Sequence, residues 1–99
     1  MLNLIKTEEN GEIRLALEGR LDTYSAPELE KELQGLLPDT NALTMDFAGL
    51  DYISSAGLRV LLMAQKSLGK RGTLKICNVN EPIMEIFEVT GFAEILSFA

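Results

Sequence analysis

The sequence contains no histidine, and Cys77 is its single cysteine. Without histidine neither a Ser-His-Asp nor a Cys-His arrangement can form, and the usual general base of enzymes is missing. One cysteine cannot form an intramolecular disulfide, and the acidic residues do not follow the spacing of a calcium-binding loop. No GxGxxG motif or P-loop occurs either. We therefore expect a protein that is not an enzyme, that binds no cofactor or metal, and that buries Cys77 as a structural thiol. Hydrolysis by a pair of carboxylates is the one enzymatic function that this inventory leaves open.

Positive charge and long apolar runs are also scarce. The chain contains nine Lys and Arg residues and fifteen Asp and Glu residues, which gives a net charge of −6. Nucleic-acid binding needs a concentration of Lys and Arg, so we expect no nucleic-acid partner. No stretch approaches the ~18 apolar residues of a membrane span, and the first residues lack the apolar segment of a secretory signal. These features predict a cytoplasmic protein without a membrane partner, built as one domain over residues 1–99 and monomeric by default.

The hydrophobic periodicity predicts an α/β fold in which helices cover a mixed β-sheet, in the order β-β-α-β-α-β-α-β. Asn10-Gly11 predicts a tight hairpin turn between the first two strands. Ser25 and Glu28 have the spacing of a capping box at the start of the first helix. The predicted strands are 2–8, 12–18, 42–47, 73–78 and, as a short strand or a frayed end, 95–98. The predicted helices are 26–37, 54 or 55 to about 70, and one that starts at Asn80-Glu-Pro-Ile83, with Pro82 in its first turn, and stops at Gly91. Segments 19–24 and 48–53 are predicted loops.

One segment, Tyr52-Ile-Ser-Ser-Ala-Gly-Leu-Arg59, combines hydroxyl groups with the predicted start of the second helix. A serine at this place caps the helix by accepting a hydrogen bond from a free backbone N–H, which contributes ~1 kcal/mol. The same place suits a phosphoserine, because a phosphate would meet unpaired N–H groups and the positive end of the helix dipole. Gly57 in the first turn indicates a close approach by another group. Capping and phosphorylation can coexist here.

Residues 42–62, with their strand, short loop, serine, Gly-Leu pair and Leu-rich helix, resemble the signature of STAS domains. Gly19-Arg-Leu-Asp22 is similar to a Gly-x-Leu-Asp segment of that family, and Val89-Thr-Gly-Phe92 to the end of its third helix. The resemblance extends from about residue 3 to about residue 97 and implies a STAS-like fold. Within this family the chain resembles the bacterial anti-sigma-factor antagonists.

The resemblance implies a function in partner switching. Antagonists of this family are phosphorylated by a partner that is both a serine kinase and an anti-sigma factor, and a serine phosphatase removes the phosphate. The unphosphorylated antagonist binds that partner and so releases a sigma factor. The family's phosphoserine corresponds to Ser55, with Ser54 as the alternative acceptor, because Ser54 stands where many members have Asp. The residues expected to contact the partner are Asp22, Thr23, Tyr24, Ser54, Ser55, Ala56, Gly57 and Arg59.

A different class of function stays open at this point. A STAS domain can serve as a structural subunit of a larger transporter or sensory complex, where the serine only caps the helix. The two hypotheses differ in one property, since only the switching antagonist loses its partner when negative charge is added at Ser55.

Overall fold

A computed structural model describes residues 1–99 and contains one five-stranded sheet with helices packed on it. The strands lie side by side in chain order, with β1 antiparallel to β2 and the remaining neighbours parallel. The predicted mixed sheet with covering helices is confirmed. The strands are β1 (Leu2–Glu9), β2 (Glu12–Leu21), β3 (Ala42–Ile53), β4 (Thr73–Cys77) and β5 (Ser97–Phe98); the helices are α1 (Ala26–Leu36), α2 (Ser55–Leu68), α3 (Glu81–Thr90) and α4 (Phe92–Ile95).

The hairpin between β1 and β2 forms as the sequence predicts. Glu9 pairs with Glu12, so the turn consists of two residues, Asn10 and Gly11. Both have positive φ, 54° and 83° respectively. This conformation matches the right-handed twist of the flanking strands and is accessible at low cost to Asn and Gly.

The hydrophobic core fills the space between one face of the sheet and the helices. In β2 the buried Ile13, Leu15 and Leu17 alternate with more exposed residues, as in a strand with one covered face. Phe47 of β3 meets Phe87 of α3 with ring centroids 6.4 Å apart. The helices contribute Leu29, Leu33, Leu36, Leu58, Leu61, Leu68, Ile83 and Phe87, among others. Each large side chain buried in this way contributes roughly 1.5–3 kcal/mol.

Two predicted loops are instead the ends of strands. β2 continues through Gly19 to Leu21, and β3 continues through residues 48–53 to Ile53. The two strands stay paired over these residues by means of two register shifts, one near Leu17 and one between Gly19 and Arg20. These irregularities interrupt the strict alternation of apolar and polar residues that is typical of a strand. The sequence pattern therefore predicts loops at these residues. Both strands therefore run directly to the starts of α1 and α2.

Cys77 is only half-buried, contrary to the sequence expectation. It lies at the end of β4 next to the fully buried Ile76, so strand alternation turns its side chain to the sheet face away from the core. Its sulfur lies 3.3 Å from an Arg14 guanidinium nitrogen. None of the helices is both long enough and apolar enough to cross a membrane.

Candidate functional site

The candidate site lies at the edge of the sheet where β2 and β3 end and two helices begin. Leu21 and Ile53 are the last paired residues of these parallel strands. The backbone N–H of Ser54 donates to the Leu21 carbonyl oxygen at 2.9 Å and so ties the start of α2 to the end of β2. The carboxyl ends of parallel strands are the usual place for a site in an α/β sheet.

The residues between β2 and α1 form a turn held by Asp22. Its Oδ1 accepts hydrogen bonds from the backbone N–H groups of Tyr24 and Ser25, both at 3.0 Å. These contacts lower the pKa of the Asp22 carboxyl, and the largest cause is the hydrogen bond from the Ser25 N–H. The Ser25 hydroxyl lowers it further. Asp22 is thus a half-buried, ionised residue that fixes the turn.

The predicted capping box at α1 is wrong. Ser25 occupies the position before the helix, but its side chain makes no capping hydrogen bond. The hydroxyl donates instead to the Arg20 carbonyl oxygen at 2.7 Å and accepts from the Asp22 N–H at 2.9 Å. Competition from these nearer backbone groups explains why the spacing alone misleads.

At the start of α2 the two serines have different environments. Ser54 precedes the helix in extended conformation, is half-buried, and its Oγ accepts from the Gly57 N–H at 3.4 Å. Ser55 is the first helical residue, is exposed, and its hydroxyl has no hydrogen-bond partner within the chain. Ser54 therefore caps the helix and leaves the Ser55 hydroxyl free. The first turn of α2 carries no acidic residue that would oppose an anion there.

Gly57 faces the interior and not the solvent. A Cβ at this position would lie 2.7 Å from Cγ of Leu21 and 3.0 Å from Cγ1 of Ile53. The close approach indicated by the sequence is thus made by the ends of β2 and β3. Gly57 bears on the site by setting how near α2 sits to the sheet, and its surface is not available for direct contact.

The other predicted contact residues surround Ser55 at the surface. Thr23, Ala56 and Arg59 line one shallow groove of about 310 Å³ between α1 and α2. Tyr24 is 91% exposed on the adjoining turn. Arg59 is exposed and forms no salt bridge within the chain. The structure therefore brings together a free hydroxyl, a free cation and an exposed aromatic ring around the start of α2.

Arg20 and Tyr52 also belong to this edge, and the sequence analysis does not predict their contact. The Arg20 guanidinium lies 4.2 Å from the centroid of the Tyr52 ring, and its Nε is 3.9 Å from Oδ2 of Asp22. The pair is formed across β2 and β3, in the register that follows the second shift. Since the shift is a property of the paired strands, only the structure reveals the stacking. No group of three or more Asp, Glu or Cys side chains in the chain is placed to hold a metal ion.

A family model described as the Mlab STAS domain matches residues 5–97. This chain belongs to the STAS family. A related STAS protein is BtrV of Bordetella bronchiseptica, described as a candidate anti-sigma factor antagonist, with 34% identity over 99% of this chain and 86% of BtrV. The anti-sigma-B factor antagonist of Bacillus subtilis is 31% identical over 96% of this chain and 87% of its own length.

Solved structures of anti-sigma factor antagonists show the same fold. An anti-sigma factor antagonist from Mycobacterium paratuberculosis superposes with a TM-score of 0.91 at 20% identity, over 99% of this chain and 85% of the other. SpoIIAA of Bacillus in its phosphorylated form superposes with a TM-score of 0.75 at 16% identity, over 100% of this chain and 91% of the other. At these identities the likeness concerns the fold alone.

Proposed function

We propose that this STAS protein is an anti-sigma factor antagonist whose partner binding is switched off by phosphorylation of Ser55. The observation that carries the proposal is the division between two adjacent serines: Ser54 caps α2, whereas Ser55 is exposed with a free hydroxyl. Relatives that are 31% and 34% identical to this chain are named as an anti-sigma-B factor antagonist and a candidate anti-sigma factor antagonist. The fold also accommodates a phosphate, since SpoIIAA is known in a phosphorylated form.

The electrostatics of the site favour a phosphate on Ser55. At the start of an α-helix the first backbone N–H groups have no partner inside the helix, and the helix dipole attracts negative charge. Arg59 lies one turn further along α2, within reach of a group on Ser55, and forms no competing salt bridge. The phosphate adds about −1.5 to −2 charge at neutral pH to a surface that a partner must approach.

In this proposal the unphosphorylated chain binds an anti-sigma factor with serine kinase activity and releases the sigma factor in the cytoplasm. The partner contacts the exposed residues Thr23, Tyr24 and Arg59 and the half-buried Ala56 near Ser55. Phosphorylation by the same partner ends binding, and a serine phosphatase restores it. The chain itself acts by binding and performs no catalysis.

The purified chain is incubated with ATP and each serine-kinase-type anti-sigma factor of its source organism, and the phosphates transferred from ATP are counted by intact-protein mass spectrometry. We expect one phosphate on the unmodified chain and on Ser54→Ala, and none on Ser55→Ala. Because Ser54→Ala alters the neighbouring hydroxyl and keeps Ser55, it is the matched control. Labelling of Ser55→Ala would contradict the site.

A second measurement addresses the switch. Ser55→Glu should weaken binding to the kinase by at least about tenfold, because it places a charge inside the interface. Ser97→Glu adds the same charge at the exposed start of β5 and should leave binding unchanged. Equal binding by Ser55→Glu and the unmodified chain would favour the non-switching structural subunit.

A further inference from the structure

The charges of this acidic chain are unevenly distributed. The segment 52–80, which contains α2 and β4, holds five of the nine basic residues and none of the fifteen acidic residues. The rest of the chain holds all fifteen acidic residues and only four basic ones. A net charge of −6 therefore conceals a strongly basic segment.

Two of these basic residues, Arg59 and Lys66, lie seven residues apart on the exposed side of α2, a spacing that puts them on one side of the helix. Lys70 follows in the turn just after α2 ends at Leu68 and is also exposed. Together with the half-buried Leu62 and Met63 these three residues line a shallow groove of about 470 Å³. We call these five residues the α2 basic stripe. None of its three cations forms a salt bridge within the chain.

The stripe is continuous with the surface around Ser55. Arg59 and Met63 line both the stripe and the groove between α1 and α2, which also includes Thr23 and Ala56. From Ser55 to Leu68 the surface extends about 20 Å along the helix axis at 1.5 Å per residue, and Lys70 continues it beyond the helix end. A single extended partner segment can therefore cover the stripe and the serine together.

We infer that the α2 basic stripe docks an acidic amphipathic helix of the protein partner. Two features of the stripe determine this occupant. Leu62 and Met63 form a narrow apolar surface, and basic side chains flank it at both ends. A helix with a short apolar stripe flanked by carboxylates is complementary to this surface. Arg59 and Lys66 lie about 10 Å apart along the axis, which is about two helical turns of a partner, and Lys70 extends the stripe past the end of α2.

The charge pattern argues against two other occupants. Membrane-binding helices insert exposed bulky apolar side chains into the lipid, whereas Leu62 and Met63 are half-buried and the rest of the chain is strongly acidic. A second copy related by a twofold axis would bring the stripe against itself, with like charges facing each other. An acidic protein segment meets neither objection.

The stripe also gives the phosphate on Ser55 a second way to act. Arg59 can pair with that phosphate or with a carboxylate of the docked helix, so phosphorylation removes one of three cations from the partner and adds repulsion beside it. This link to the switch rests on the proposed function. The docking surface itself rests only on the geometry and charge of α2.

The test uses a synthetic amphipathic helical peptide of about twenty residues, with glutamates spaced seven and four apart beside two leucines. Binding is followed by amide chemical shifts of the isotope-labelled chain at peptide concentrations up to about 1 mM, a range that detects weak complexes. We expect the shifted amides to lie in α2 and the binding to weaken as salt is raised. The same peptide with glutamine in place of glutamate should bind at least about tenfold more weakly.

Two double variants with the same charge change complete the test. Lys66→Glu with Lys70→Glu should weaken peptide binding at least about tenfold, and Lys6→Glu with Lys31→Glu, on β1 and α1, should change it less than about twofold. All four lysines are exposed, so both variants should fold, which circular dichroism checks. The kinase that labels Ser55 should show the same difference between the two variants.

Several outcomes would overturn the docking surface. These are no shift in α2 at the highest peptide concentration, equal binding by the two double variants, tight binding of anionic phosphatidylglycerol vesicles through α2, or self-association through the stripe. Failure of the antagonist function is a separate result, since it is detected by the phosphorylation of Ser55 and not by the peptide. If Ser55 is labelled but Lys66→Glu with Lys70→Glu binds the kinase normally, only the docking surface is lost.

Discussion

Replacing Gly57 by alanine tests how α2 is placed on the sheet. The added Cβ would lie 2.7 Å and 2.9 Å from Cγ and Cδ2 of Leu21, and 3.0 Å from Cγ1 of Ile53. Carbon atoms in ordinary contact are about 3.5–4.0 Å apart, so either the helix or these side chains must move. Leu21 is fully buried and Ile53 is 3% exposed, which leaves them no open space to move into. We therefore expect the substitution to push α2 away from the strand ends.

The magnitude follows from two opposing effects. Adding a methyl group to a well-packed core costs about 1–3 kcal/mol, because neighbouring side chains and backbone are displaced. Alanine is a better helix former than glycine, which returns at most about 1 kcal/mol in the helix interior and less in the first turn. The free energy of unfolding should fall by about 1–2 kcal/mol as a result. For a domain of this size, each 1 kcal/mol lowers Tm by roughly 4–8 °C.

Gly35→Ala is the matched control, because Gly35 lies in α1 and a Cβ there would meet no atom within 4 Å. It should raise the free energy of unfolding by about 0.5–1 kcal/mol through helix propensity alone. Urea titration followed by circular dichroism measures both variants. The reasoning about Gly57 is refuted if Gly57→Ala is as stable as the unmodified chain, or gains stability as Gly35→Ala does.

Two further predictions concern single side chains. Ser54→Ala should lower the free energy of unfolding, measured in urea, by about 0.5–1 kcal/mol, because it removes the cap of α2. Ser55→Ala should change the free energy of unfolding by less than about 0.5 kcal/mol. Equal effects of the two substitutions would contradict the assignment of the cap to Ser54. The hydrogen bond from the Asn78 side chain is the main cause that lowers the pKa of the Asp46 carboxyl in the folded chain. The ionised carboxylate therefore stabilises the fold, and this contribution is complete above the ordinary carboxyl pKa of 3.8. It is lost as the pH falls through the lower pKa of the folded chain. Asp46→Asn should therefore lower Tm at pH 6 more than at pH 3, and an equal loss at both would show that the carboxylate charge has no part in it.

The sequence predicts the elements whose signal is local. The Asn10-Gly11 turn needs only two residues that adopt positive φ, and the structure shows both. Helices α1 and α2 follow from apolar residues at helical spacing, which pack on the sheet as expected. Gly91 ends α3 in the left-handed conformation, again a property of that one residue.

The features that the sequence does not predict depend on partners distant along the chain or on competition between near ones. The ends of β2 and β3 are strands because they pair with each other across two register shifts, and neither shift is visible in one strand alone. Ser25 has the spacing of a cap, yet the Arg20 carbonyl and the Asp22 N–H take its hydroxyl. The stacking of Arg20 on Tyr52 likewise exists only in the paired strands.

The two adjacent serines would allow the proposed switch to act at a helix start without loss of the fold. If the phosphorylated residue were also the helix cap, the capping hydrogen bond would change whenever the phosphate was added or removed. Here the cap belongs to Ser54, whose N–H is bound to the Leu21 carbonyl and whose Oγ faces Gly57. Ser55 contributes no side-chain hydrogen bond, so the proposed phosphorylation would alter the surface charge and leave the anchoring of α2 intact. It follows that Ser55→Glu should retain the thermal stability of the unmodified chain to within about 0.5 kcal/mol even as partner binding is lost, because the helix dipole tolerates a negative charge at this end. A large loss of stability in that variant would mean that phosphorylation acts by unfolding α2 and not by changing a docking surface.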